Sequence, residues 1–123
     1  MDTASTILIS VIAVYLLFKL FGFLGRLGIK QLSAQELDQK RGAVIIDVRT
    51  NKEYGQGHIP GAVHVPLADV GTKVKKLKKD KEIVVYCQSG SRSIWAIKRL
   101  IGMGYTHLYN LKGGYNAWKR IHR

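Results

Sequence analysis

One cysteine, two prolines and eight acidic residues are little material for a chain of 123. The lone thiol, Cys87, cannot close an internal disulfide, which excludes a disulfide-stapled secreted scaffold and fits a reducing compartment. The four histidines show no ligand spacing and have no second cysteine to join them, so the sequence offers no zinc site and implies no metal or other cofactor. Pro60 and Pro66 both fall in one turn-rich stretch, and no internal repeat, low-complexity segment or long linker appears. Against the eight acidic residues stand 20 Lys and Arg, a net charge of +12. The chain nonetheless has no nucleic-acid reader motif and no aromatic platform interleaved with its basic run, so nucleic acid is not among the expected partners.

Charge is also missing from the first block. Between Thr3 and Leu24 the single charged residue is Lys19, amid Ile, Leu, Val and Phe. A bilayer needs about 20 apolar residues, and residues 6–24 meet that length if Lys19 is tolerated. A lysine at the membrane centre costs roughly 2.5–3.5 kcal/mol, but Lys19 lies towards the end of the run, where its stem can snorkel to the headgroups. Asp2 precedes the run without a positive charge and no small-residue cleavage site is present after it, which favours an uncleaved anchor over a secretory signal or a core helix. Lys19, Arg26, Lys30, Lys40 and Arg41 lie at the end of the run or beyond it, so the positive-inside rule places the C-terminal domain in the cytoplasm. The expected organisation is a membrane anchor with a short juxtamembrane segment over residues 1–28 and one domain over residues 29–123.

That domain carries 12 Lys and 6 Arg against 7 acidic residues, +11 net. Its pattern alternates strands and helices. Lys30–Leu32 reads as a strand, and Ser33 with Glu36 as a capping box opening a helix to about Lys40. Ala43–Val48 is a continuous apolar run, hence a two-sided strand. Next come a helical turn over Thr50–Gln56, a turn at Gly57–Gly61 and a brief strand over Ala62–Val65. Val70, Val74 and Leu77 recur at helical spacing and predict a helix over Ala68–Lys79, with Lys73, Lys75, Lys76, Lys78 and Lys79 on its outer face. A solvated face is the plain reading of those lysines; attraction to anionic lipid is the alternative. Ile83–Tyr86 predicts a buried strand, Ile94, Ile97, Leu100 and Ile101 a helix to about Met103, Thr106–Leu111 a last strand, and Gly113-Gly114 the entry to a helix through Trp118. The order implies an α/β domain around a mainly parallel sheet.

Chemistry concentrates at Cys87-Gln88-Ser89-Gly90-Ser91-Arg92. A thiol between the end of a strand and the start of a helix meets unpaired N–H groups and the positive end of a dipole. Both favour the thiolate, the reactive form. A buried structural cysteine is the competing reading. It does not account for the small residues of the loop, which let backbone approach an anion, nor for the cation of Arg92.

These residues are similar to a known family. Asp47-Val48-Arg49, Glu53-Tyr54, Gly57-His58-Ile59, Gly61-Ala62 and Pro66 resemble the upstream signature of rhodanese domains. Cys87 to Arg92 resembles their Cys-x-x-Gly-x-Arg loop, and Gly113-Gly114 with Ala117-Trp118 the end of the domain. The resemblance covers about Ile29 to Trp118. It implies a rhodanese-like three-layer fold and a sulfurtransferase in which Cys87 takes sulfane sulfur from a donor such as thiosulfate and holds it as a persulfide. The acceptor would be cyanide or a thiol, including a protein thiol. Backbone N–H groups of Gln88, Ser89, Gly90, Ser91 and Arg92 would cradle the sulfur, with Arg92 attracting anionic donors.

Supporting roles fall to Asp47, Arg49 and His58. Asp47 and Arg49 read first as a structural pair ordering the next loop, and alternatively as part of the pocket's charge network. His58 reads first as a turn residue, and alternatively as an acid or base. Gln88 stands where many members carry a basic residue, which removes a charge from the mouth. Trp95 reads as core, or else as the pocket rim. Two other functions compete: a non-catalytic, membrane-anchored binding module on the same scaffold, and a cysteine-dependent phosphatase. Phosphatase loops in relatives of this fold are one residue longer than the six from Cys87 to Arg92, and Tyr86 stands where they often place histidine.

Overall fold

The computed structural model describes residues 2–27 and 29–123. Its elements run α1 (Thr3–Leu27), β1 (Lys30–Leu32), α2 (Ala34–Gln39), β2 (Val44–Asp47), α3 (Asn51–Gly55), β3 (Val63–His64), a 3₁₀ turn (Leu67–Asp69), α4 (Val70–Lys73), β4 (Ile83–Tyr86), α5 (Arg92–Gly102), β5 (Leu108–Leu111) and α6 (Gly114–Ile121). The five strands form one sheet in the order β1-β5-β4-β2-β3, and every pairing is parallel.

Parallel strands bury both faces, and β4, at the centre, is buried at all four positions. Alternation sends Ile83, Val85 and Cys87 to one face, where they pack with Val70, Val74, Ile94, Ile97 and Leu100 of the α4–α5 side. Val84 and Tyr86 face the other way, against Ala34 and Leu37 of α2 and Tyr115 and Trp118 of α6. The domain is thus a three-layer α/β/α sandwich. Two reciprocal capping boxes set its helix starts, Ser33 with Glu36 at α2 and Thr50 with Glu53 at α3.

Helix α1 is long and apolar enough over Thr3–Phe21 to cross a membrane, a test that a signal sequence also passes. From Ile7 to Phe21 its large apolar side chains are exposed, Leu17 at 65% and Phe21 at 81%, so this stretch is not a core helix.

Two expectations need correction. The lysine-rich helix over Ala68–Lys79 ends at Lys73, leaving only the 3₁₀ turn and the single turn of α4. Val70 and Val74 are buried as their spacing requires, but the Tyr105 hydroxyl donates to the carbonyls of Val74 (2.6 Å) and Leu77 (3.1 Å). The Val74 carbonyl accepts from the Leu77 N–H in a tight turn as well as from this tertiary donor, and the close run of like charges from Lys73 to Lys79 opposes continuation of the helix. Trp95 is not core: it is 66% exposed, because the first turn of α5 directs Ile94, Ala96 and Ile97 inward and leaves position 95 outside.

Candidate functional site

The connection leaving β2 runs to β3 on one side, and that leaving β4 runs to β5 on the other. The carboxyl ends of β2 and β4 therefore border the point where the winding reverses, the place where open parallel sheets leave a crevice. Asp47 and Arg49 stand at the end of β2, and Cys87 comes directly after the last residue of β4.

Cys87 is fully buried. Its sulfur accepts from the Gly90 N–H at 3.1 Å and lies 3.4 Å from Ser93 Oγ. Gly90 sits at φ +103°, a left-handed conformation that favours glycine and folds the loop back over the sulfur. Burial pushes the thiol up. The Ser93 side chain and the backbone N–H groups of Ser93, Gly90 and Ser89 outweigh it, so the thiol lies below its ordinary value. Ser91 caps α5 without a side-chain bond; the Ile94 N–H turns back to the Ser91 carbonyl at 3.3 Å, and the Ser93 N–H is left to the sulfur. The nest expected around an anion is thus built from backbone in part and from Ser93 in part.

Arg49 is the hub beneath the loop. Its guanidinium holds the Asp47 carboxylate through Nε at 3.1 Å and Nη2 at 2.9 Å, with exposures of 2% and 0%. It also donates to the Gly57 carbonyl (2.6 Å) and to Gln88 Oε1 (3.0 Å). Tyr86 donates to the same carboxylate at 2.6 Å and accepts from the Ile59 N–H at 3.1 Å; burial first, and then Asp47, push its hydroxyl well above the usual tyrosine range. The pair therefore does what a structural reading requires, ordering the loop after β2, and through Gln88 it also touches the Cys87 loop.

A model of the rhodanese-like domain matches residues 31–121, well over half of the chain. The chain belongs to the rhodanese-like family. This rhodanese-like domain is 37% identical over 87 residues to a sulfurtransferase of Allochromatium vinosum, covering 71% of this chain and 81% of that protein. It is likewise 37% identical over 94 residues to the thiosulfate sulfurtransferase GlpE of Coxiella burnetii, covering 76% and 88%. Among solved structures it superposes on a human single-domain sulfurtransferase with a TM-score of 0.70 at 28% identity, covering 76% and 97%. The rhodanese-like fold expected from the sequence is the fold observed, and the family is one with sulfurtransferase members.

Within this rhodanese-like domain the remaining predicted residues separate. Arg92 does not stand free at the mouth. It forms a two-pronged pair with Glu53 of α3, both contacts at 2.9 Å, and so ties the loop to α3. Gln88 does more than omit a charge: it accepts from Arg49 and donates to Asn116 Oδ1 at 2.6 Å. A basic side chain in the same position would set a second cation against Arg49. His58 is exposed, bonded to the Tyr54 carbonyl at 3.1 Å and stacked on the Tyr54 ring at 3.8 Å. Its contacts among the described residues are those of a turn residue.

Four contributors escaped the sequence reading. Glu53 appeared only within a motif, yet Arg92 first of all, with Thr50, holds its carboxyl at about 2 against the burial that raises it. Ser93 and Asn110 gave no signal apart from small or polar residues where apolar ones were expected. Both are buried, with exposures of 0% and 3%. Gly114 reads from the sequence only as the entry to the last helix, but its left-handed φ of +59° brings the start of α6 against the loop. A Cβ there would overlap the Cys87 carbonyl and stand 2.7 Å from the Gln88 carbonyl carbon. The Tyr115 and Asn116 N–H groups donate to those two carbonyls at 2.8 and 3.1 Å. Elsewhere, the groove of about 470 Å³ between α2 and α6, lined by Ser33, Lys112 and Arg120, contains no thiol.

The Glu53–Arg92 pair gives a pH prediction. Folding lowers the Glu53 pKa from 4.5 to about 2, so the pair's stabilisation is complete above pH 4.5 and is lost as pH falls towards 2. Both groups are partly exposed, 38% for Arg92 and 27% for Glu53, which limits the contribution to about 1 kcal/mol. Thermal melts of wild type and Glu53→Gln should differ by several degrees at neutral pH and converge in that acid window. Curves that stay parallel through it would show that the pair does not stabilise the fold.

Proposed function

We propose that this chain is a membrane-tethered sulfurtransferase working through a Cys87 persulfide. The carrying observation is a buried thiol, held low by backbone donors, at the reversal point of a parallel sheet. In this mechanism the Cys87 thiolate attacks the sulfane sulfur of a donor such as thiosulfate. A new S–S bond forms, the donor's S–S bond breaks, and sulfite leaves with the electron pair. Cyanide or a protein thiolate then attacks the outer sulfur, departs as thiocyanate or a persulfide, and returns the thiolate. The N–H groups of residues 88–92 bind the persulfide, while Arg92 acts with Glu53 to hold the loop's shape. The Asp47–Arg49–Gln88 chain supports it from below. Similarity to a thiosulfate sulfurtransferase supports thiosulfate as donor. The test is intact mass after incubation with thiosulfate: the protein should gain one sulfur atom, removable by cyanide. The alternative is a non-catalytic binding module, which the neutral Gln88 in place of a basic residue favours, and a protein that takes sulfur from no donor would establish that alternative.

The tether is residues 6–24 of α1, with residues 1–28 serving as anchor and juxtamembrane segment and the domain of residues 29–123 in the cytoplasm. The exposed apolar helix and the basic flank after it support this arrangement. In sealed vesicles of known orientation, protease added on the cytoplasmic side should remove the C-terminal domain and leave the N-terminal segment in the membrane. Protection of the domain from that side, or recovery of a chain lacking its first 25 or so residues (roughly the length of a cleaved signal), would overturn it.

A further inference from the structure

Asn110, on β5, is buried beside the loop and links three elements. Its Nδ2 lies 3.2 Å from the Gly90 carbonyl and 3.0 Å from Gln31 Oε1 on β1. A backbone carbonyl can only accept, so the Gly90 contact identifies this atom as the amide NH₂ whichever way Gln31 is turned. Asn110 Oδ1 therefore faces Ser93 Oγ. Oδ1 carries no hydrogen, so the one in that bond is the Ser93 hydroxyl's. With its hydrogen committed, Ser93 can offer Cys87 only a lone pair, and the undirected contact between Sγ and Oγ resolves to S–H donating to Ser93.

We propose that Asn110 is a positioning residue that sets the direction of the Ser93 hydroxyl, holding Ser93 as an acceptor for the resting Cys87 thiol and requiring its hydrogen to swing to the sulfur when the thiolate forms. In that step the Cys87 proton passes to a solvent base. Ser93 keeps its own proton and rotates it from Asn110 Oδ1 to Sγ, and no other bond changes. The exchange breaks one hydrogen bond as it makes another, so Ser93 lowers the thiol only at the expense of Asn110. The backbone N–H groups of Ser89, Gly90 and Ser93 carry no such counterweight. Arg92 paired with Glu53, and Arg49 paired with Asp47, are the charged groups around the loop. Tyr86 of β4 is hydrogen-bonded to Asp47, α6 brings Tyr115 and Asn116, and β5 and β1 bring the neutral Asn110 and Gln31.

The inference rests on Cys87 as the nucleophile but needs no sulfur donor for its test. The thiolate's ultraviolet absorbance is followed against pH in wild type, Asn110→Leu, Ser93→Ala and the double variant. Asn110→Leu frees the Ser93 hydrogen, so below the midpoint its thiolate population should rise about fivefold, the equivalent of one hydrogen bond of about 1 kcal/mol. In the Ser93→Ala background the same substitution should change nothing. An unmoved or raised midpoint in Asn110→Leu, or an equal shift without Ser93, overturns the proposal. Should Asn110→Leu fold poorly, wild type itself decides. The side-chain carbonyl resonance of Asn110 should titrate with Cys87, and a resonance indifferent to that titration overturns the proposal too. Failure to load sulfur would instead sink the sulfurtransferase reading and leave this titration standing.

Discussion

Cys87→Ser should reduce sulfur transfer from thiosulfate to cyanide by at least about 10⁴-fold, as loss of a covalent nucleophile does when no other group replaces it. A serine hydroxyl cannot form a transferable sulfane adduct. The chain has no second cysteine to take over. The substitution should also be gentle on the fold, because the Gly90 N–H and Ser93 Oγ that meet the sulfur can hydrogen-bond an oxygen. Activity and a thermal melt must therefore be read together. Near-native stability with no turnover and no mass gain of one sulfur is the expected result. Substantial turnover by the serine variant would mean that sulfur is not carried on residue 87.

Asp47→Ala should carry the largest stability loss, about 3–5 kcal/mol, because it leaves the Arg49 guanidinium buried without its counter-ion. It also strips the Tyr86 hydroxyl of its acceptor, which adds an unsatisfied polar group. A domain of this size has roughly 5–15 kcal/mol in total, so the variant should sit close to unfolding. The double variant Asp47→Ala with Arg49→Met should recover part of the loss, since an apolar replacement of both ions removes the stranded charge. Denaturant midpoints measure both effects. A single variant that unfolds like wild type would show that Arg49 finds another partner, and a double variant no better than the single would assign the loss to packing around Tyr86.

Much of this domain is legible in the sequence. Ile83–Tyr86 is apolar at consecutive positions because β4 is covered on both faces, and Ile94, Ile97 and Leu100 repeat at the helical period because one side of α5 meets the sheet. The capping box of α2 is equally readable, since Ser33 with Glu36 satisfies the helix end from within four residues. The lysine-rich segment misleads because its period is right and its length is not. Burial of Val70 and Val74 needs only one face, while the end of α4 depends on Tyr105, which lies some thirty residues further on.

At the site the same division holds. Local chemistry in the sequence sufficed to single out Cys87, its Gly-containing loop and the helix after it, because a strand end, a left-handed glycine and a helix start are neighbours along the chain. Tertiary structure alone decided what surrounds the sulfur. Arg92 meets Glu53 across 39 positions and Asn110 reaches Gly90 across 20, distances over which no local propensity acts. Parallel strands make such meetings obligatory, since each crossover returns the chain to the same end of the sheet and delivers the residues after β2, β4 and β5 to one edge. The place of the cysteine at a strand–helix junction was thus written in the local sequence, whereas the partners around its sulfur come from the order in which the strands were laid down.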